Sequence, residues 1–153
     1  MLEAGQKLPS FSLPNQDGAV RTNDSYAGKW LVLYVYPKDD TPGCTVQGKS
    51  FTASKAAFDR RGAVVVGLSA DDAESHKLFC NKFGFTIELL ADPATTLLKA
   101  LGTGQSEWKG TLYWDRTTWL VDPHGVVRKV YTKVDPNGHE QVLLQDLDAL
   151  AKR

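Results

Sequence analysis

The chain has 153 residues and 16.8 kDa, 42% of them hydrophobic and 24% charged, with 18 Lys and Arg balanced by 18 Asp and Glu. Zero net charge and a pI of about 6.8 supply no basic stripe for nucleic acid or an anionic membrane surface. Two cysteines, Cys44 and Cys80, match neither a small disulfide scaffold nor a structural zinc site. The opening Met1 to Lys7 lacks the apolar run of a signal peptide, and no window approaches the roughly 18 apolar residues of a membrane span. One domain over 1–153, working in the cytoplasm, is the expectation.

In chain order, Trp30 to Tyr36 (WLVLYVY) is a continuous apolar run, the pattern of a central strand buried on both faces. A helix is predicted from Pro42 to Arg61, with Val46, Phe51 and Phe58 on one face and Gly62 closing it. Ala63 to Ser69 reads as a second buried strand, so the pair forms a parallel βαβ unit. A helix over Ala73 to Phe83 ends at Gly84, a strand follows over Thr86 to Leu90, and a short helix runs from Pro93 to Leu101. Gly102 to Ser106 is glycine-rich without the lysine of a phosphate loop and reads as a flexible loop. Thr117 to Val121 and Val126 to Tyr131 form a hairpin through Asp122-Pro123-His124-Gly125. Val142 or Leu143, Leu147 and Leu150 mark a final amphipathic helix. The result is an α/β domain with a central mixed sheet flanked by helices. Flavodoxin-like folds share the alternation, but the terminal hairpin favours the thioredoxin-like fold.

Cys44 follows the central strand and opens the first long helix. Thr41 suits the N-cap and Pro42 the first helical position, which puts Cys44 at the third. Unpaired backbone N–H groups and the positive helix end there favour a thiolate, the nucleophilic form. Asp39 and Asp40 oppose it if they point inward, so a cation must come from a distant segment. His76, His124 and His139 occur singly and read as surface or cap residues, so no metal or cofactor is called for. Trp108, Tyr113 and Trp114 read first as core or loop packing and second as a substrate-side or reductant-docking surface.

Pro37, Thr41 and Cys44 reproduce the Pro-x-x-x-Thr-x-x-Cys signature of peroxiredoxins, and Tyr36-Pro-Lys-Asp-x-Thr-Pro-Gly-Cys-Thr45 resembles the bacterioferritin comigratory protein or peroxiredoxin Q branch. Gly5-x-x-Leu8-Pro9-x-Phe11-x-Leu13, Val66-Gly67-Leu68-Ser69-x-Asp71, Leu90-x-Asp92 and Arg116-x-Thr118-Trp119-Leu120-Val121-Asp122-x-x-Gly125 extend the resemblance over nearly the whole chain. It implies a thiol-dependent peroxidase of the atypical two-cysteine kind, acting on hydrogen peroxide and organic hydroperoxides. By that resemblance Cys44 is the peroxidatic cysteine, Thr41 hydrogen-bonds the peroxide, Pro37 shields the site from water, and Arg116 is the missing cation.

Many members of the branch carry the resolving cysteine five residues after the peroxidatic one, where this chain has Lys49. Cys80 resembles a second subgroup, in which the resolving cysteine lies on the following helix. The implied partners are a hydroperoxide and thioredoxin, or glutaredoxin, acting on a monomer. Two thiols on separate elements do not touch in the reduced fold, so both helix ends must unwind for a disulfide to form. Gln47 stands where acidic residues are frequent, which removes a carboxylate that would pin Arg116, and Trp119 replaces a more usual phenylalanine. The Gly-Gly-Leu-Gly segment of overoxidation-sensitive relatives does not occur, so tolerance of high peroxide is expected. If Cys80 is only structural, a one-cysteine peroxidase results. A thiol-disulfide oxidoreductase would want Cys-x-x-Cys, and a non-enzymatic binding domain would require none of this residue set.

Overall fold

The computed structural model describes residues 1–151. Its centre is a five-stranded sheet of order β5-β4-β3-β8-β9. These strands are β3 (Trp30–Val35), β4 (Ala63–Ser69), β5 (Glu88–Ala91), β8 (Thr117–Val121) and β9 (Val127–Tyr131). The apolar run of β3 is in the middle because it is the strand with no polar face to offer solvent: Leu31 to Val35 are all at most 3% exposed. β3, β4 and β5 pair in parallel, while β8 runs antiparallel to β3 and to β9. This is the mixed, thioredoxin-like sheet expected.

Alternation along β3 divides the interior into two layers. Val32 and Tyr34, with Tyr36 just beyond the strand, face one core with Phe51, Phe58, Phe79, Leu143 and Leu147. These come from α1 (Pro42–Ala53), α2 (Lys55–Arg60), α3 (Ala73–Phe83) and α5 (His139–Ala151). Leu31, Leu33 and Val35 face the other core, built with Leu97 and Leu98 of α4 (Thr96–Ala100), Leu101 and Trp119. Trp119 is fully buried, and its indole N–H donates to the Leu2 carbonyl at 3.0 Å. Cys44 and Cys80 both belong to the first layer.

The helix predicted over Pro42 to Arg61 is broken at Ser54, whose φ of −96° and ψ of 4° separate α1 from α2. Val46 is only half-buried; the inward positions of α1 are Cys44, Gln47, Gly48 and Phe51. α3 ends as predicted, with Gly84 left-handed at φ +68° and the Phe85 N–H returning to the Cys80 carbonyl at 3.0 Å.

Two short hairpins were not foreseen. β1 (Ser12–Pro14) pairs with β2 (Val20–Thr22), and β6 (Gln105–Trp108) pairs with β7 (Thr111–Trp114). The second one replaces much of the loop expected after Gly102. No helix among the described residues is long and apolar enough to cross a membrane.

Candidate active site

α1 begins where the sequence places it. Thr41 is the extended N-cap, Pro42 the first helical residue and Cys44 the third, and Cys44 is 2% exposed. The Thr41 side chain does not cap the helix: its hydroxyl donates to the Lys38 carbonyl at 2.8 Å, which leaves its oxygen lone pairs free.

The cation arrives through sheet register. β8 pairs with β3 so that Thr117 stands opposite Val35, which sets Arg116 beside the exit of β3 and the start of α1. Its two terminal nitrogens each lie 3.6 Å from Cys44 Sγ. A guanidinium so placed stabilises a thiolate and an oxygen gaining negative charge next to it. Residues 72 apart in sequence thus meet at one sulfur.

Gln47 corrects the expectation of an unpinned arginine. Its amide oxygen accepts from Arg116 Nη1 at 2.5 Å, so an amide holds the guanidinium in place. No carboxylate pairs with Arg116 among the described residues. The other half of that amide, Gln47 Nε2, is buried without a hydrogen-bond partner among the described residues. Gly43 matters as well: a Cβ there would stand 2.8 Å from Arg116 Nη2. A side chain there would push the guanidinium off the helix start, so this placement of Arg116 depends on glycine. Its place beside Cys44 in the motif hinted at this, but the contact itself is long-range.

At the start of α1 lies a pocket of about 500 Å³ whose lining includes Pro37, Thr41, Gly43, Trp108, Trp114 and Arg116; Arg116 links it to the Cys44 sulfur, which does not itself line it. Its aromatic wall is the β6–β7 hairpin: Trp108, Tyr113 and Trp114 all line the pocket, and Trp114 also packs against the second core layer, as expected first from the sequence. Trp108 is 62% exposed.

Cys80 does not join this group. It sits on α3, free and 6% exposed, in the core layer behind Cys44. Burial pushes its thiol up to about 11, the Asp39 and Asp17 carboxylates add to the rise, and Lys77 opposes it. The thiol is protonated where it lies. α1 approaches this region closely, since a Cβ at Gly48 would stand 2.3 Å from the Phe85 ring just beyond α3.

Two histidines also depart from expectation, because both are interior. His76 is fully buried, with Nδ1 2.6 Å from Asp39 Oδ2 and Nε2 2.8 Å from the Leu90 carbonyl. His139 is 7% exposed, with Nε2 3.0 Å from Thr118 Oγ1. Asp39, Asp71 and His76 bring one ligand-type atom each within 4.8 Å of the others. Protein groups already occupy these atoms: Asp71 Oδ2 accepts from Ser69 Oγ and the Asp39 amide, and Asp39 from Tyr36 and Ser75.

The thioredoxin-like sheet with a cysteine at a helix start, faced by an arginine that also lines an open pocket, defines a thiol-based redox enzyme. Residues 4–130 match the model of the AhpC/TSA family. The chain is 40% identical over 149 residues to a putative peroxiredoxin Bcp of Helicobacter pylori, covering 95% of this chain and 98% of that one. It is 39% identical over 160 residues to the peroxiredoxin Bcp of Xanthomonas campestris, with both chains covered completely. The solved structure of the Xanthomonas campestris bacterioferritin comigratory protein, described for its alkyl peroxide reduction activity, superposes with a TM-score of 0.89 at 36% identity, over 97% of this chain and 99% of that one. The chain therefore belongs to the AhpC/TSA family, and its similarity runs to the Bcp and peroxiredoxin Q members, which are thiol-dependent peroxidases. Its substrate is a hydroperoxide and its electron source a thiol.

Proposed function

We propose that Cys44 is the peroxidatic cysteine of a two-cysteine peroxidase acting on hydrogen peroxide and organic hydroperoxides, with Cys80 as its resolving partner. The observation that carries this reading is the placement of both Arg116 terminal nitrogens 3.6 Å from Cys44 Sγ at the open end of α1. The Cys44 thiolate attacks the terminal oxygen of the hydroperoxide. An S–O bond forms, the O–O bond breaks, and the alkoxide or hydroxide leaves and takes up, through solvent, the proton that Cys44 released on ionising, so that sulfur is oxidised to the sulfenic acid and the peroxide is reduced to alcohol or water. Arg116 holds the charge as it passes from sulfur to the leaving oxygen. Thr41 Oγ1, whose proton is committed to Lys38, accepts a hydrogen bond from the peroxide O–H. Pro37 closes one side of the pocket against water.

The Cys80 thiol then displaces the sulfenic hydroxyl. An S–S bond forms, the S–O bond breaks, and water leaves carrying the thiol proton. Thioredoxin, or glutaredoxin, reduces the disulfide by thiol–disulfide exchange. We place this cycle in a monomer working in the cytoplasm, where the thiol pool is kept reduced.

The test is hydroperoxide consumption with a thioredoxin system. Cys44→Ser should abolish it, and activity surviving that change would overturn the assignment. Cys80→Ser should keep one stoichiometric turnover and lose recycling. Its deep burial favours one alternative, a structural thiol in a one-cysteine peroxidase. Sustained turnover of Cys80→Ser would establish that alternative.

A further inference from the structure

The buried Asp39–His76 pair joins the two segments that the peroxidatic and resolving cysteines occupy. Asp39 lies in the loop between β3 and α1, five residues before Cys44. His76 lies on α3, one helical turn before Cys80. The Leu90 carbonyl can only accept, so His76 Nε2 carries a hydrogen. One proton then fills the 2.6 Å gap between Nδ1 and Asp39 Oδ2, and the two side chains are joined by a short buried hydrogen bond whichever partner holds it, a charge-assisted one when Nδ1 does. Around it, Asp39 also accepts from Tyr36 Oη at 2.6 Å and from Ser75 Oγ at 2.8 Å, while its own amide donates to Asp71 at 2.9 Å. His76 is 0% exposed and Asp39 7%. A group satisfied on every side in a dry setting holds its neighbours in one arrangement, because parting the pair strands two polar groups.

A second tie joins the same segments, Asp40 to Lys82 at 2.8 Å, but both side chains are about half exposed and the contact is weak. Asp40 is also left-handed at φ +58°, an uncommon conformation for a residue with a side chain. The loop is thus held under backbone strain by a buried clamp.

We propose that Asp39 and His76 are positioning residues that latch the loop before Cys44 to α3, and that release of this latch sets the rate at which the Cys44 sulfenic acid meets Cys80. The proposal rests on the reading of Cys80 as the resolving cysteine. Both cysteines are free and buried on separate helices, and a disulfide between them requires Cα atoms within about 7 Å and a set dihedral geometry, so on this proposal forming it moves the first turn of α1 relative to α3. The loop cannot follow the first turn of α1 without lifting Asp39 off His76. Tyr36 and Ser75 tune the latch through Asp39, and the pair touches neither the peroxide nor the reacting sulfur.

The experiment separates the two steps. Reduced full-length chain is mixed with one equivalent of hydrogen peroxide, and thiol, sulfenic acid and disulfide are followed by rapid alkylation and mass spectrometry. His76→Gln should leave peroxide consumption within about twofold of the unaltered chain and speed disulfide formation by roughly tenfold, the kinetic equivalent of losing one buried hydrogen bond. Ser75→Ala, at a half-buried position that tolerates truncation, should speed it by about threefold, and Lys82→Ala should leave it unchanged. With excess peroxide, both accelerating variants should accumulate less sulfinic acid on Cys44. A merely structural role would move both steps together or neither. Unchanged disulfide rates in both His76→Gln and Ser75→Ala, with the disulfide itself present, would overturn the latch and leave the assignment of Cys80 standing. Absence of a Cys44–Cys80 disulfide in the unaltered chain would overturn both.

Discussion

Acid should weaken this fold through His139. The residue opens α5 but lies inside, edge-on to the rings of Phe51 and Tyr131 at 6.3 and 5.3 Å. Burial lowers its ring from 6.5 to about 4, with the Asp146 carboxylate acting weakly the other way. The unfolded chain keeps the ordinary value. Above about 6.5 both states are neutral and the full stability is present. As pH falls toward about 4 the unfolded state takes up a proton that the folded state refuses, so stability drains across that window and the loss stops below it. At 1.36 kcal/mol for each unit of displacement, the loss is about 3 kcal/mol. With a urea dependence of about 2 kcal/mol per molar, the unfolding midpoint should move by roughly 1.5 M. The assay is urea unfolding of the reduced chain from neutral pH to about 4, beside His139→Gln, which keeps a polar partner for Thr118 but has no titration in the window. Surface carboxylates titrate in both chains, so the difference between the two profiles isolates His139. Parallel profiles would refute the reasoning.

Three further outcomes follow from the site. Gly43→Ala should gain slightly in helix propensity yet cut the rate constant for peroxide reduction by about 10- to 100-fold, because its methyl group displaces a guanidinium held to the sulfur; stopped-flow kinetics beside thermal melting will separate the two effects. Gln47→Leu should lower the same rate constant by roughly tenfold with stability changed by less than about 1 kcal/mol, since it removes the Arg116 pin and the orphaned Nε2 together. An equal rate would mean that Gly43 and the sulfur suffice to hold the arginine. In native-state alkylation near neutral pH, Cys80 should be labelled orders of magnitude more slowly than in urea, as a buried thiol pushed up to about 11 requires. Similar rates in the two conditions would contradict that burial.

The elements that the sequence revealed are those whose residues face only their own core. β3 and β4 are apolar from end to end, and α3 carries its stop at Gly84, so both could be read without knowing their neighbours. The β6–β7 hairpin escaped because its strands are largely exposed and alternate toward no core. Its turn is left-handed at Lys109 and Gly110, with φ values of 51° and 79°, yet lysine replaces the asparagine or aspartate that usually signals such a turn. At the site, the helix start at Cys44 was legible because caps are local. The need for a distant cation was legible too, from charge alone, while the identity of Arg116 came from resemblance. In the sequence Gln47 reads as a missing carboxylate, and only the 2.5 Å contact shows an amide in that role. His76 was invisible for the same reason: its partner is 37 residues away, and nothing in either segment announces the other.

The wall of the active-site pocket is hydrogen-bonded as a two-stranded sheet of its own, apart from the five strands beneath it. The proposed chemistry rests on α1 and the start of β8, whose positions are fixed by the core, whereas the aromatic wall hangs from one short span of backbone closed by the Asp115 amide on the Gly104 carbonyl. Insertions, deletions or wholesale exchange between Gly104 and Asp115 therefore leave every rung of the central ladder intact. The protein keeps its reactive centre and its doorway in separate parts, so that evolution, or an engineer, can refit the doorway without reopening the question of how the chain folds.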